Sequence, residues 1–321
     1  MLFGSHPCRV CFTATELACL LCLALPAQAD GDLRTVALSG DQVPGVDPGV
    51  MFSSFGSSVL EASAPMIDAS GRTAFLSLLT GAGVNSTNDF GIYSEGGGTL
   101  AEVAREGNQA PSADPGVVFS SLRSPVFSAA GQTAFGSFLT GPGVNSTNGI
   151  GIYSDASGTL AEVARAGNQA PGADPGVVFS GLSFLNLSVL NVAGNTAFIG
   201  TLSGTGVNSA NNSGIYGGGS GTLAEVAREG NQAPGADPGV EFSSFNIPVI
   251  NATGQTLFSG VLTGSGVNST NDSGIYSMGG GTMSEVARKG NQAPGADPGV
   301  VFSGFGSNLG ISSVPVLNAT G

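Results

Sequence analysis

One repeat of about 60 residues fills most of the chain and restricts it to folds built from stacked, equivalent units. The tetrapeptide Glu-Val-Ala-Arg occurs four times, at spacings of 60, 63 and 60 residues, and its copies begin at Glu102, Glu162, Glu225 and Glu285. Each copy is followed by a Gly-Asn-Gln-Ala-Pro turn and an Asp-Pro-Gly turn, and a Gly-x-Thr-x-Phe segment also occurs four times, beginning at Gly71, Gly131, Gly194 and Gly254. Units of this kind bury apolar surface against their neighbours, so the sequence predicts an array.

Each unit is predicted to contain four β-strands. Runs rich in Val, Ile, Thr and Phe that are bounded by Gly, Asn, Asp and Pro clusters are typical of strands. In the fourth unit the strands are expected at Ile247–Asn251, Gln255–Thr263, Gly274–Ser277 and Thr282–Arg288. The Glu-Val-Ala-Arg segment also suits a helix, but its shortness between glycine turns favours a strand. In that strand, Glu102 and Arg105 are expected to point to opposite faces.

The predicted second strand is apolar on both faces, which indicates that neighbouring sheets cover both sides of it. The sequence therefore predicts an all-β fold, a β-propeller-like array of four-stranded repeats that is incomplete. An open β-solenoid is the alternative, although its rungs are usually much shorter than 60 residues. Four full units are expected between two partial ones, a lone strand at Leu33–Leu38 and another at Val314–Asn318. A content of 53 glycines and 17 prolines in 321 residues agrees with a turn-rich β protein.

The first 29 residues have the pattern of a secretory signal peptide. Arg9 supplies the positive charge, Leu17–Leu25 is the apolar run, and an Ala-x-Ala site ends at Ala29. The apolar run is too short to span a bilayer, so no transmembrane span is expected in the mature chain. Residues 30–321 are predicted to form a tandem β-repeat domain that is secreted or held at the cell surface.

All four cysteines and the single histidine lie inside this predicted signal. The Cys-x-x-Cys pairs at Cys8 and Cys19 have zinc-site spacing, and a lipid anchor at Cys19 or Cys22 is a further alternative. Apolar filler of a discarded segment is the preferred interpretation. The mature chain then has no thiol nucleophile, Ser-His-Asp triad, thiolate zinc site or disulfide.

The charge pattern excludes one class of partner and leaves carboxylate chemistry open. With 9 basic and 22 acidic residues, the net charge of −13 argues against binding to a nucleic-acid backbone. Each unit has an Asn-rich loop, and Asp89 and Asp272 in two of these loops are candidate calcium ligands. An ordinary Asx-rich turn is the alternative, and no other cofactor is expected.

Two further sets of charged residues repeat once per unit. The aspartates of the Asp-Pro-Gly turns predict either a ring of carboxylates for cationic partners or a favoured turn residue. They are Asp47, Asp114, Asp174, Asp237 and Asp297. A catalytic carboxylate pair would require one unit to differ from the others, and the Glu/Arg pairs recur unchanged in four units. The prediction is therefore a non-enzymatic scaffold or binding module with an unknown protein or glycan surface ligand. A propeller-type hydrolase or lyase that uses carboxylates is the alternative.

A short marker sequence carries a family resemblance. The segment Asn-Val-Ala-Gly-Asn-Thr-Ala-Phe matches the pattern N-x-x-G-x-x-A-F in full at Asn191, Gly194, Ala197 and Phe198. Other copies match in part, at Gly71, Phe75, Gly131, Phe135, Gly254 and Phe258. The chain resembles the choice-of-anchor tandem-repeat NxxGxxAF-containing proteins, a family of secreted bacterial β-repeat proteins of unknown function. The resemblance implies export and a propeller-like β array, and it implies no known activity.

The marker residues have an expected structural role that does not depend on the resemblance. The first residue, Asn or Asp, is expected to close a turn with its own side chain, and the glycine to adopt a backbone angle that other residues avoid. The phenylalanine is expected to fill the interface between neighbouring sheets.

Overall fold

The computed structural model describes residues 33–58, 61–62, 64–183, 190–219 and 222–305. The predicted signal peptide and the predicted strand at Val314–Asn318 lie outside these ranges. Within them, the regular elements are β-strands, and the sheets belong to one compact unit that begins at Val36.

The main strands form four antiparallel sheets, numbered 1 to 4 in chain order, in which the first, second, third and fourth strands pair in that order. The first strands are Val50–Phe55, Val118–Leu122, Val178–Leu182 and Val240–Phe245. The second strands are Thr73–Gly81, Thr133–Thr140, Thr196–Ser203 and Thr256–Gly264. The third strands are Phe90–Ser94, Ile150–Ser154, Ser213–Gly218 and Ser273–Gly279. The fourth strands are Ala101–Arg105, Ala161–Arg165, Ala224–Arg228 and Thr282–Arg288. The predicted all-β array of four-stranded repeats is confirmed.

The predicted first strand, Ile247–Asn251, is wrong. The first strand of sheet 4 is Val240–Phe245, which directly follows the Asp-Pro-Gly turn and pairs with the later part of the second strand. Only Val249–Ile250 from the predicted segment forms a strand, and it pairs with the beginning of the second strand. The second strand is long enough for two segments to share one of its edges. Equivalent two-residue strands occur at Met66–Ile67 and Val126–Phe127.

The connection between the first and second strands differs in length from sheet to sheet. It runs over residues 56–72, 123–132, 183–195 and 246–255. In sheet 1 it contains a small hairpin of two-residue strands, Ser57–Ser58 and Glu61–Ala62. The longer connection in sheet 3 accounts for the spacing of 63 residues where the other spacings are 60.

The predicted lone strand at Leu33–Leu38 is absent, since these residues have no regular structure. In each sheet the fourth strand pairs with a third strand, and among the described residues no strand pairs with Leu33–Leu38. Its backbone groups therefore lack the ladder that a strand requires. Val36 and Ala37 nevertheless pack against the apolar cluster of sheet 1.

Consecutive sheets pack face to face through apolar side chains. Between sheets 2 and 3, Ile152 and Ala164 of sheet 2 lie in one cluster with Phe179, Phe198 and Tyr216 of sheet 3. Equivalent clusters join sheets 1 and 2 and sheets 3 and 4. Each sheet thus covers its neighbour, as adjacent propeller blades do. The solenoid alternative is not observed, because the four strands of a unit pair with one another within a single sheet.

A tyrosine on the third strand of each sheet explains the glycine two residues before it. In sheet 2, Tyr153 is fully buried and its ring meets Phe119 edge-on at a centroid distance of 4.9 Å. The same ring stacks on Phe135 at 5.8 Å. Gly151 lies on the same face beneath the ring, and a Cβ at that position would stand 2.6 Å from the Tyr153 hydroxyl oxygen. Glycine is therefore required at Gly151 by close approach.

A glutamine side chain holds together the long turn between consecutive sheets. In the turn after sheet 2, Gln169 Nε2 donates to the carbonyl oxygen of Asp174 at 3.0 Å. The backbone N–H of Gly176 donates to Gln169 Oε1 at 2.9 Å. The same two hydrogen bonds are made by Gln42, Gln109, Gln232 and Gln292. These bonds explain why glutamine recurs in every copy of the turn.

We predict that Gly151→Ala lowers the free energy of unfolding by about 1–3 kcal/mol, because the new methyl group displaces the Tyr153 ring from a closely packed cluster. The matched control is Gly181→Ala in a first strand, where a Cβ would meet Thr201 at an ordinary 3.6 Å. Urea unfolding measures both variants. Equal stability of the two variants would contradict the packing argument.

We predict that Ser112→Gly raises the free energy of unfolding by about 1 kcal/mol, since a left-handed backbone is strained for any residue but glycine. Ser112 has φ of 62°, and it is the non-glycine residue with positive φ in the described ranges. Its counterparts in the other turns are glycines, among them Gly45 with φ of 79°. The reverse change, Gly45→Ser, is expected to lose a similar amount in the same measurement, because no atom crowds that position.

Candidate functional site

The loops that join second to third strands and the turns that join consecutive sheets lie at the same end of the sheets, because neighbouring strands are antiparallel. We call this end the Asn-loop end. In sheet 1, Arg105 Nε donates to the carbonyl oxygen of Asn88 at 2.8 Å and so ties the fourth strand to the loop. Arg165, Arg228 and Arg288 make the same bond at 3.0, 2.9 and 3.1 Å. The repeated arginines therefore position the loops.

The asparagine side chains of these loops are engaged within the loops themselves. In sheet 2, Asn145 Oδ1 accepts hydrogen bonds from both the backbone N–H and the hydroxyl of Thr147. Asn148 Oδ1 accepts the backbone N–H of Asn145, and Asn148 Nδ2 donates to the carbonyl oxygen of Gly143. Loop closure by Asx side chains is thus the observed role of these amides.

The two calcium candidates lie at the ends of their loops in different surroundings. Asp272 Oδ1 is 3.1 Å from Lys289 Nζ, an ion pair. Asp89 is hydrogen-bonded to the carboxyl group of Glu106. Across the ranges that the structure describes, no group of three or more His, Cys, Asp or Glu side chains is arranged to hold a metal ion. Calcium binding at Asp89 and Asp272 remains a prediction from the sequence.

The position occupied by these two contacts differs in charge among the four units. We call it the junction pair, formed by the residue before the third strand and the residue after the fourth. The pairs are Asp89 and Glu106, Gly149 and Ala166, Asn212 and Glu229, and Asp272 and Lys289. Inspection of single motifs missed this position, because its two members stand 17 residues apart. A column-by-column alignment of the four units would have found it.

Glu106 is the junction residue with the most unusual environment. It is 6% exposed, and its carboxylate accepts hydrogen bonds from the backbone N–H groups of Phe90 and Leu122. It therefore links the third strand of sheet 1 to the first strand of sheet 2. Burial, followed by the negative charge of Asp89, raises the pKa of Glu106 to about 7.

The Glu/Arg pairs of the fourth strands do not point to opposite faces, so that prediction is wrong. In sheet 1, Glu102 is paired with Tyr93, and Arg105 is paired with Gly91. The register shifts between these pairs, because Val103 is an extra residue that forms a β-bulge. Glu102 and Arg105 therefore share the face of Tyr93.

We call this group the polar triad. Its members are Tyr93, Glu102 and Arg105 in sheet 1, Tyr153, Glu162 and Arg165 in sheet 2, Tyr216, Glu225 and Arg228 in sheet 3, and Tyr276, Glu285 and Arg288 in sheet 4. Burial raises the pKa of each glutamate, and the neighbouring arginine opposes that shift. Burial and the nearby Glu285 raise the pKa of Tyr276 to about 12. In each triad one carboxylate oxygen is fixed by an asparagine of the following turn, for example Glu102 Oε1 by Asn108 Nδ2 at 2.8 Å.

The marker residues lie at the opposite end of the sheets and in the interfaces. Asn191 Oδ1 accepts the backbone N–H groups of Ala193 and Asn195, which closes the turn, and Gly194 has φ of 79°. Asn191 Nδ2 also donates to the carbonyl oxygen of Asn251 in the next sheet at 3.0 Å. Positive φ recurs at Gly71, Gly131 and Gly254. The buried side chains among the marker residues are those of Ala197, Phe75, Phe135, Phe198 and Phe258.

The aspartates of the Asp-Pro-Gly turns are exposed at the Asn-loop end. Their carbonyl oxygens accept the glutamine hydrogen bonds of the turn, as for Asp114 and Asp174. The exposed side chains are those of Asp47, Asp114, Asp174, Asp237 and Asp297. This end of the array therefore presents repeated negative charge to solvent.

We predict that stability falls as the pH rises from about 5 to about 8, by roughly 2–3 kcal/mol, because of Glu106. A folded-state pKa of about 7 lies above the ordinary 4.5, so the folded state favours the protonated carboxyl. That stabilisation is complete below pH 4.5 and is lost as the pH passes 7. Glu106→Gln is expected to flatten the profile measured by urea unfolding, whereas Glu241→Gln, at an exposed carboxyl, is expected to leave it unchanged. An unchanged profile in Glu106→Gln would refute the assignment.

Comparisons with known proteins identify a family and a distant structural likeness. Within the described ranges, no helix is long and apolar enough to cross a membrane. No curated protein matches the sequence. Among solved structures, a crystal structure of a mutant puromycin hydrolase complexed with PGG is 12% identical, with a TM-score of 0.28. The match covers 80% of this chain and 40% of that protein. The chain belongs to the family of unknown function DUF7453, whose model matches residues 62–321.

Proposed function

We propose that this protein is an exported, non-catalytic repeat scaffold or binding module that acts at the cell surface or outside the cell. The observation that carries the proposal is the recurrence of the same polar triad, the same glutamine-held turn and the same marker turn in every sheet. Groups repeated identically in each unit hold the array together. A reaction centre would need one unit with its own arrangement of reactive groups.

The Asn-loop end is the surface that best suits a ligand. Each loop is closed by the same hydrogen bond between two of its asparagines, so the loops present a fixed and repeated surface. The exposed aspartates of the turns give this surface negative charge, which favours cationic groups on a protein or glycan ligand. Repetition allows several weak contacts to act together on an extended ligand.

Export is supported by the sequence rather than by the geometry. The signal-peptide pattern at residues 1–29 and the resemblance to choice-of-anchor NxxGxxAF proteins both favour a protein that leaves the cytoplasm.

One observation favours the alternative of a hydrolase or lyase. Asp89 and Glu106 form a carboxyl pair that the other units lack, and a carboxyl with a raised pKa beside a second carboxylate suits general acid chemistry. A general acid must reach the atom that it protonates. Glu106 is 6% exposed and already accepts two backbone hydrogen bonds, so its role in holding two sheets together is the better explanation.

Binding and turnover on one panel of glycans and cationic peptides separate the two functions. We expect the purified chain of residues 30–321 to bind a member of the panel and to leave it chemically unchanged. Replacing Asp114, Asp174 and Asp237 by Asn is expected to weaken that binding at least tenfold, since these side chains are exposed and their backbone contacts are kept.

The control for this experiment is Glu241→Gln, which removes a single exposed charge outside the turns. Turnover that disappears in Glu106→Gln, with circular dichroism unchanged, would replace the scaffold proposal by the enzymatic one. Failure to bind any member of the panel would count against the Asn-loop end as a ligand surface.

A further inference from the structure

Two buried polar atoms in each sheet have no hydrogen-bond partner within the protein. They are the tyrosine hydroxyl oxygen and the glutamate Oε2 of the polar triad, and both atoms are unpartnered in all four sheets. An unsatisfied buried polar group costs about 1–3 kcal/mol, and native proteins seldom leave one unpaired. A fourfold recurrence in equivalent places therefore calls for a common physical cause.

The two atoms belong to side chains that face each other across the third and fourth strands. In sheet 2, Tyr153 and Glu162 are directly paired, and the β-bulge puts both on the face that packs against the preceding sheet. Tyr153 is 0% exposed. The glutamate charge also acts on the tyrosine, whose pKa it raises in addition to the effect of burial. The two buried atoms therefore belong to one cross-strand pair on the same face of the sheet.

Each of the two side chains is also held in place by contacts of its own. The tyrosine ring is held between Phe119 and Phe135, with Gly151 beneath its hydroxyl. The glutamate is held at its other oxygen, because Glu162 Oε1 accepts a hydrogen bond from Asn168 Nδ2 at 2.8 Å. Each side chain is thus fixed by contacts that leave its inner polar atom unpaired.

We propose that each sheet binds one internal water molecule between the tyrosine hydroxyl and the glutamate Oε2. The tyrosine O–H donates to the water oxygen, and one water O–H donates to the carboxylate. A buried water typically satisfies two to four such groups. A cation is disfavoured at this place, because the positive charge of Arg165 already acts on the carboxylate of Glu162. The array therefore contains four equivalent water sites, one for each triad.

Magnetic relaxation dispersion of water ²H and ¹⁷O counts water molecules held for longer than nanoseconds, and it tests the proposal on the intact chain. We expect Tyr153→Phe to reduce the count by one relative to the unmodified protein. Glu162→Gln is expected to keep the count, because an amide oxygen still accepts from the water. The matched control is Ser154→Ala, which removes a neighbouring buried hydroxyl that is already paired with the backbone N–H of Ala156.

An unchanged count in Tyr153→Phe, with a normal unfolding transition, would overturn the proposal. If that variant does not fold, a crystal structure of the unmodified protein at a resolution that shows ordered water decides the matter. Density between Tyr153 and Glu162, and at the equivalent places in the other sheets, supports the proposal. A direct tyrosine–carboxylate hydrogen bond, or an empty space there, refutes it.

Discussion

The structure depends on the packing of three aromatic rings of one sheet against the aliphatic face of the sheet before it. In sheet 3, Phe179 meets Tyr216 edge-on at 4.7 Å, and Phe198 stacks on the same tyrosine at 6.0 Å. Ile152 and Ala164 of sheet 2 complete the cluster. No sheet of this size buries enough apolar surface by itself, so the interface between sheets is the cooperative unit of the fold. The glycines, turns and bulges allow the same aromatic contact to form between each pair of consecutive sheets.

Much of the fold could be predicted because the same pattern of strands and turns occurs in four copies, and each copy supports the interpretation of the others. The glycine-bounded runs identified the second, third and fourth strands and the array of sheets. The first strand, Val240–Phe245, was missed because it directly follows a Pro-Gly turn and has no turn signal of its own to separate it. The predicted segment beside it, Ile247–Asn251, contributes only Val249–Ile250. Tertiary contacts decide which of the two segments pairs along the second strand. Local β-propensity is a weak guide to that choice.

The features of the candidate site were harder to predict, for reasons of geometry. Alternation along a strand places Glu102 and Arg105 on opposite faces, and a single bulged residue, Val103, reverses that conclusion. No local sequence signal marks such a bulge. Likewise, Asp89 and Glu106 are neighbours only because two turns meet at one end of the sheets. The role of the marker asparagine was easier to foresee, because Asn191 acts on backbone groups within a few residues of itself.

The unequal connections between first and second strands have a consequence for how such a chain can change. They are longer in sheets 1 and 3 than in sheets 2 and 4, while every loop at the other end is closed by the same hydrogen bond between two asparagines. An insertion in the variable connection leaves the aromatic contacts between sheets and the glutamine-held turns in place. The connection at one end of each unit can therefore acquire new sequence during evolution. The loops at the Asn-loop end are constrained to one common structure.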